Sequence, residues 1–196
     1  MRFARGGPPA WTERRKDEVA RLVALYPEGR SAIMPLLHLA QEERGFITQG
    51  DLEAIAGVLG MPMSAVESVA SFYAMYHGER TGRFVVTVCT SLPCHMAHAD
   101  RVVEAFKKAL GIEEGETTPD GLITLEATSE CLAACDAGPV VQVNREYFLR
   151  LNPVKVRDLV TALRQDDGEA LARLAEYPST GEALFAARVR EVGGRV

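Results

Sequence analysis

Long hydrophobic runs are missing. No apolar stretch in the 196 residues approaches the roughly 18 that a membrane span needs, and the start, MRFARGGPPAW, lacks the apolar core of a secretion signal. The expectation is a cytoplasmic protein, any membrane association of which would come through a partner. Positive charge is also short: 22 Lys and Arg against 27 Asp and Glu give a formal charge of -5 and a pI near 5.5. That balance argues against a nucleic-acid groove or direct binding to an anionic membrane. Cysteine is sparse, four in all, too few for a disulfide-held scaffold in a chain long enough to bury its own core. No C-x-x-C is present, which disfavours a dithiol exchange site. No G-x-G-x-x-G opens a helix after a strand, and no G-x-x-x-x-G-K-S/T occurs, so the chain carries no recognisable nucleotide cradle.

What is there is an ordinary apolar fraction of 47%, enough for one or two small domains. Residues 12–77 repeat a helical spacing four times: Val19, Leu22, Val23, Tyr26; Ile33, Leu36, Leu37, Ala40; Leu52, Ile55, Ala56, Leu59; Val66, Val69, Ala70, Tyr73. Thr48 with Asp51 and Ser64 with Glu67 read as capping pairs, and Gly45 and Gly60 as helix stops. Pro35 is tolerable only in a first turn, which starts the second helix near Ser31. Phe72, Tyr73, Met75 and Tyr76 form an aromatic and Met cluster, read as core in preference to a docking patch.

The glycines and charges of HGERTGR (His77 to Arg83) mark a boundary, after which the period changes. FVVTV (Phe84 to Val88) predicts a buried strand. Ala99, Val102, Val103 and Phe106 predict a helix closed by Gly111, and LITLEA (Leu122 to Ala127) a second strand. VVQV (Val140 to Val143) and YFLRL (Tyr147 to Leu151) flank NRE as a hairpin, and Asn152-Pro153 caps a last helix. The order β-α-β-β-β-α predicts an α/β protein: a helical bundle over 12–80, a domain with a small mixed sheet over 81–165, and an Ala- and Glu-rich tail over 166–196.

The cysteines fall into two pairs, Cys89-x4-Cys94 and Cys131-x3-Cys135, with 36 residues between them. Each pair follows a β-like segment, so two neighbouring loops at one end of the sheet would present two thiols each. A zinc ion accepts four cysteines but usually takes them from tighter knuckles, whereas a 2Fe–2S cluster divides its ligands two per iron. From spacing, the cluster is preferred, with a zinc-stabilised interaction module as the rival from another class. His95 and His98 lie beside Cys94 and are read as polar loop or helix-start residues. An oxidised cluster with four thiolates carries a net charge of -2 and a reduced one -3, so backbone amides must approach sulfur; small residues such as Ser91, Ala133 and Ala134 permit this. Glu130 and Asp136 flank the second pair and would oppose added negative charge, which predicts a low potential.

ASFYAMY, VCTSLPC, TPDGLITLEATSECLAACDAGPVVQVN and AIMPLLHLAQEERGFI together resemble the family of thioredoxin-like 2Fe–2S subunits of bacterial NADH:quinone oxidoreductase, respiratory complex I, from about Tyr26 to Leu163. The resemblance implies a thioredoxin-like second domain and one 2Fe–2S cluster, with Cys89 and Cys94 on one iron and Cys131 and Cys135 on the other. It further implies docking to a subunit carrying FMN and the NADH site, beside other peripheral-arm subunits, and electron transfer as one part of a larger translocase. The equivalent subunit of an NAD-reducing hydrogenase or NAD-dependent formate dehydrogenase is the alternative in this class, and a freestanding ferredoxin a third. Two departures stand out: Ala133 where the family commonly has glycine, and Gly138 ahead of the proline near the cluster.

Overall fold

A computed structural model describes residues 3–4 and 15–175, and its backbone divides into two units, Met1–Thr81 and Gly82–Val196. The protein is α/β, with its helical unit first.

In the first unit, α1 (Lys16–Ala24), α2 (Ile33–Arg44), α3 (Gln49–Leu59) and α4 (Met63–Phe72) carry the apolar residues at the spacing noted above. Ile33, Leu36, Leu37 and Ala40 of α2, Leu52, Ile55 and Ala56 of α3, and Val66 and Ala70 of α4 are buried together. Burial of such a side chain stabilises by about 1.5–3 kcal/mol, which offsets the cost of ordering three short helices. Pro35 lies in the first turn of α2, which a 3-10 turn, Gly29–Ala32, leads into; the α-helix itself starts two residues later than Ser31.

Thr48 opens α3 with a complete capping box. Its backbone N–H donates to Asp51 at 2.8 Å, and its hydroxyl accepts from the Asp51 amide at 3.3 Å. Asp51 is fully buried and also receives the Arg44 guanidinium at 2.6 Å, tying the end of α2 to the start of α3. Gly45 (φ 82°) and Gly60 (φ 64°) close α2 and α3 in the left-handed conformation that glycine adopts without a Cβ clash. The expected Ser64–Glu67 cap does not form. Pro62 (φ -62°, ψ 139°) is the extended residue flanking α4, so Ser64 is already inside the helix, where it cannot take the cap conformation. Tyr26 and Tyr73 fall just beyond the helices whose apolar sets they extend.

The aromatic cluster splits. Tyr76 is fully buried, its hydroxyl donating to the Met34 carbonyl at 3.2 Å and its ring tilted against His38 at 5.1 Å between centroids, and burial together with Tyr73 raises its pKa to about 12. Phe72 and Met75 are exposed.

The second unit is built on a four-stranded sheet in the order β2-β1-β3-β4, from β1 (Phe84–Cys89), β2 (Ile123–Thr128), β3 (Val141–Val143) and β4 (Glu146–Phe148). β1 runs parallel to β2, with Val86 opposite Leu125 and Cys89 opposite Thr128, and antiparallel to β3. A short α5 (Leu92–Met96) precedes α6 (Ala99–Leu110), and α7 (Pro153–Gln165) packs beside α6. Val102, Val103 and Phe106 of α6 and Val156, Leu159 and Leu163 of α7 meet Val86, Val88, Leu125, Val141 and Phe148 of the sheet in one core. Asn152 caps α7, its Oδ1 accepting from the amides of Val154 and Lys155 at 2.9 and 3.0 Å. Gly82 enters the sheet so close to β2 that a Cβ there would lie 2.9 Å from the Ile123 backbone.

Two expectations are corrected. The strand read over YFLRL begins at Glu146 and stops at Phe148, because Arg150 turns to φ 49° and donates its amide to Ala137 rather than to a strand neighbour. The chain from 166 onward is not simply a tail: Asp167 caps α8 (Gly168–Leu174) and Leu171 enters the core, while residues 176–196 lie outside the described residues. Replacing Asp51 with Ala should destabilise the helical unit by about 1–2 kcal/mol, since it removes the capping box and the carboxylate that the Arg44 guanidinium meets. Urea unfolding followed by far-UV circular dichroism measures this.

Candidate functional site

The parallel pairing of β1 and β2 sends both following loops out of the same end of the sheet. Cys89 is the last residue of β1, and Cys131 follows the end of β2 by three residues. Beyond the strands, Thr90 donates its amide and hydroxyl to the Thr128 carbonyl at 2.8 and 2.9 Å, holding the loops together past the last ladder rung. Cys94 is carried back by α5, which begins after Ser91 with Pro93 in its first turn. Cys135 opens a 3-10 turn, Cys135–Ala137. All four are free thiols.

The two pairs differ in setting. Cys89 and Cys94 are each 1% exposed and pack with Ala99, Ala137, Val140 and Leu149, with Leu132 and Ala134 alongside; Cys131 and Cys135 face outward, their sulfurs 3.2 Å apart. Burial pushes the Cys89 thiol up, but hydrogen bonds from the Ser91 hydroxyl and the Leu132 and Ser91 amides outweigh it and its pKa falls overall. Burial holds Cys94 above the ordinary range, only partly countered by the Val140 amide. The hydrogen bond from Cys135 and the Ala133 amide lower Cys131, and the same sulfur contact, followed by burial, raises Cys135. One thiol of each pair is therefore the easier to ionise.

Main chain reaches sulfur because of local conformation. Ala133 sits at φ 61° and aims its N–H at Cys131 Sγ, 3.3 Å away. A left-handed alanine carries a penalty that glycine does not. Ser91 Oγ lies 3.1 Å from Cys89 Sγ. Gly138 packs against Cys94 at ordinary van der Waals distance, so a Cβ there would be tolerated.

His98 is exposed at the start of α6, as a helix-start residue, whereas His95 is exposed toward the end of α5. Glu130 and Asp136 are exposed, so solvent screens their influence on the thiols. Sequence reasoning missed α5, although Ser91 followed by a first-turn proline is its signal, and missed the exposed Leu92 (73%) and Met96 (75%) on it. Among the described residues no three His, Cys, Asp or Glu side chains are grouped as around one metal ion. Two thiol pairs with amide donors and an apolar wall fit a binuclear cluster, whose irons take two ligands each, better than a single tetrahedral ion.

The second unit is thus an α/β domain, a mixed sheet backed by helices, with two thiol pairs just beyond the ends of its parallel strands. The thioredoxin-like 2Fe-2S ferredoxin family description matches residues 19–164, and the chain belongs to that family. It is 41% identical over 169 residues to an NADH-quinone oxidoreductase subunit of Mycobacterium tuberculosis (strain ATCC 25618 / H37Rv), covering 86% of this chain and 67% of that protein. It is 39% identical over 153 residues to NADH-quinone oxidoreductase subunit 2 of Thermus thermophilus, covering 76% and 84%. Among solved structures, an NAD+-reducing NiFe-hydrogenase in the air-oxidized state shares the fold with a TM-score of 0.60 at 18% identity, over 75% of this chain and 24% of the hydrogenase chain.

Ala133→Gly should leave the Cys131–Cys135 loop intact and gain about 0.5–1 kcal/mol, the left-handed penalty less glycine's extra freedom when unfolded. Ala133→Val should lose at least as much, because a β-branched residue resists this conformation. Thermal unfolding of the two variants beside the parent protein checks the opposite signs.

Proposed function

We propose that this chain is an electron-transfer subunit of an NADH:quinone oxidoreductase, holding one 2Fe–2S cluster with Cys89 and Cys94 on one iron and Cys131 and Cys135 on the other. The convergence of two thiol pairs from the ends of two adjacent parallel strands carries this reading. A cluster bound there supplies a carrier that takes and releases single electrons. The chain's own residues do the rest. Thiolates would be the ligands, and in each pair hydrogen bonds to sulfur make one thiol, Cys89 or Cys131, the easier to ionise. Ala137, Val140 and Leu149 form an apolar wall that keeps water from the inner pair, and the Ala133 amide spreads charge away from the outer one.

The electron donor is a partner subunit with FMN and the NADH site, since no nucleotide cradle is present in this sequence and the chain alone would not oxidise NADH. Leu92 and Met96, exposed beside the thiols, suit a protein neighbour better than water. The assembly places the subunit on the cytoplasmic side, attached to the inner membrane through other peripheral-arm subunits; no described helix is long and apolar enough to cross a membrane. The relatives at 39–41% identity favour the quinone oxidoreductase; the NAD+-reducing hydrogenase shares the fold at 18% identity.

Metal analysis of the purified protein should find about two irons and two acid-labile sulfides per chain. Serine at Cys89, Cys94, Cys131 or Cys135 should each reduce bound iron more than about tenfold. One zinc per chain with no labile sulfide would establish the interaction-module reading instead.

A further inference from the structure

The Ser91 hydroxyl occupies a place that ligand geometry alone does not require. Its Oγ lies 3.1 Å from Cys89 Sγ, the inner thiol that ends β1. Cys89 Sγ also lies 3.7 Å from the Glu130 carbonyl, to which a thiol can donate, while in the Ser91 contact either atom can be the donor. Once Cys89 is a metal-bound thiolate it has no proton to give, and the hydroxyl is the donor of the pair. Ser91 is half-buried on the turn between β1 and α5, and its carbonyl accepts the His95 amide at 2.8 Å, which fixes the backbone that holds the side chain.

We infer that Ser91 is a positioning residue that raises the reduction potential of the cluster by donating a hydrogen bond to Cys89 Sγ, and that this hydroxyl distinguishes the inner thiol pair from the outer one. This rests on the cluster assignment above. A donor to sulfur stabilises negative charge, and the reduced cluster carries one negative charge more than the oxidised one, so the bond is stronger after reduction. The exposed carboxylates of Glu130 and Asp136 act in the opposite direction through solvent and are screened. A differential hydrogen bond of ordinary charge-assisted strength changes the one-electron equilibrium by about tenfold.

The test is a redox titration of the full-length holoprotein, with dithionite as reductant and the reduced cluster followed by electron paramagnetic resonance. Ser91→Ala should lower the equilibrium constant for reduction about tenfold, a downward shift of about 59 mV for one electron. Ser91→Thr, which keeps the hydroxyl, should restore most of it. Resonance Raman bands of the Fe–S(Cys) stretches should move on exchange into D2O in the parent protein and move less in Ser91→Ala. A midpoint unchanged in Ser91→Ala, or lowered equally in Ser91→Thr, overturns the proposal. If Ser91→Ala does not retain the cluster, the near-isosteric pair Ser91→Thr and Ser91→Val decides the matter by the same shift; loss of the cluster in all three variants assigns Ser91 to assembly and also overturns it. Absence of any paramagnetic signal from the reduced parent protein would instead strike the cluster assignment itself.

Discussion

Everything at the site depends on the parallel register of β1 and β2. Cys89 stands opposite Thr128, so two chain segments 36 residues apart leave the sheet at one end and side by side. Were β2 antiparallel to β1, its following loop would leave from the far end, more than ~15 Å away for strands of this length. The register is held by apolar packing on the helix-covered face, where Val86, Val88, Leu125 and Val141 meet Phe106 and Leu159. A slip of one residue would turn all of these toward the other face, a loss of several buried side chains at once. The core of the second unit thus acts on function through geometry, by fixing where four sulfurs stand.

The two halves of the site are unlike by construction. The inner pair is walled by Ala137, Val140 and Leu149, and the outer pair lies on the surface in a tight turn. A charge of -2 or -3 in such a place needs donors, and donors come from backbone bent to reach sulfur: Ala133 by adopting a left-handed conformation, Val140 by running beside Cys94. The surface around the inner pair is apolar through Leu92 and Met96, although the chain as a whole is acidic. Electron exchange with a second protein calls for such a place, where close approach is favourable and the cofactor is not far behind.

Much of this was legible in the sequence, where local physics decides. The helical spacing of α2 and α3 survives folding because each apolar residue named for them packs into the same core, and the Thr48 box forms because its partners are three residues apart. The α/β class and the succession of strands and helices along the chain follow from the change of period after Arg83, whereas the order of strands within the sheet does not. What was not legible depends on neighbours distant in sequence or on backbone angles that the residue type does not declare. Pro62, not Ser64, flanks α4, because a proline already extended leaves the serine inside the helix. Arg150 ends β4 by reaching Ala137, a contact that spacing does not encode. Ala133, at φ 61°, gives no local hint of a positive φ in its residue type. Leu171 looks like any apolar residue of an Ala-rich end, yet it fills the core beside α7.

The central claim is that these four thiols share one binuclear cluster. Low-temperature electron paramagnetic resonance of the dithionite-reduced protein addresses it most directly. The account predicts a spin-half signal with g values near and below 2, integrating to about one spin per chain and absent before reduction. A protein with full metal occupancy that stays silent after reduction would contradict it.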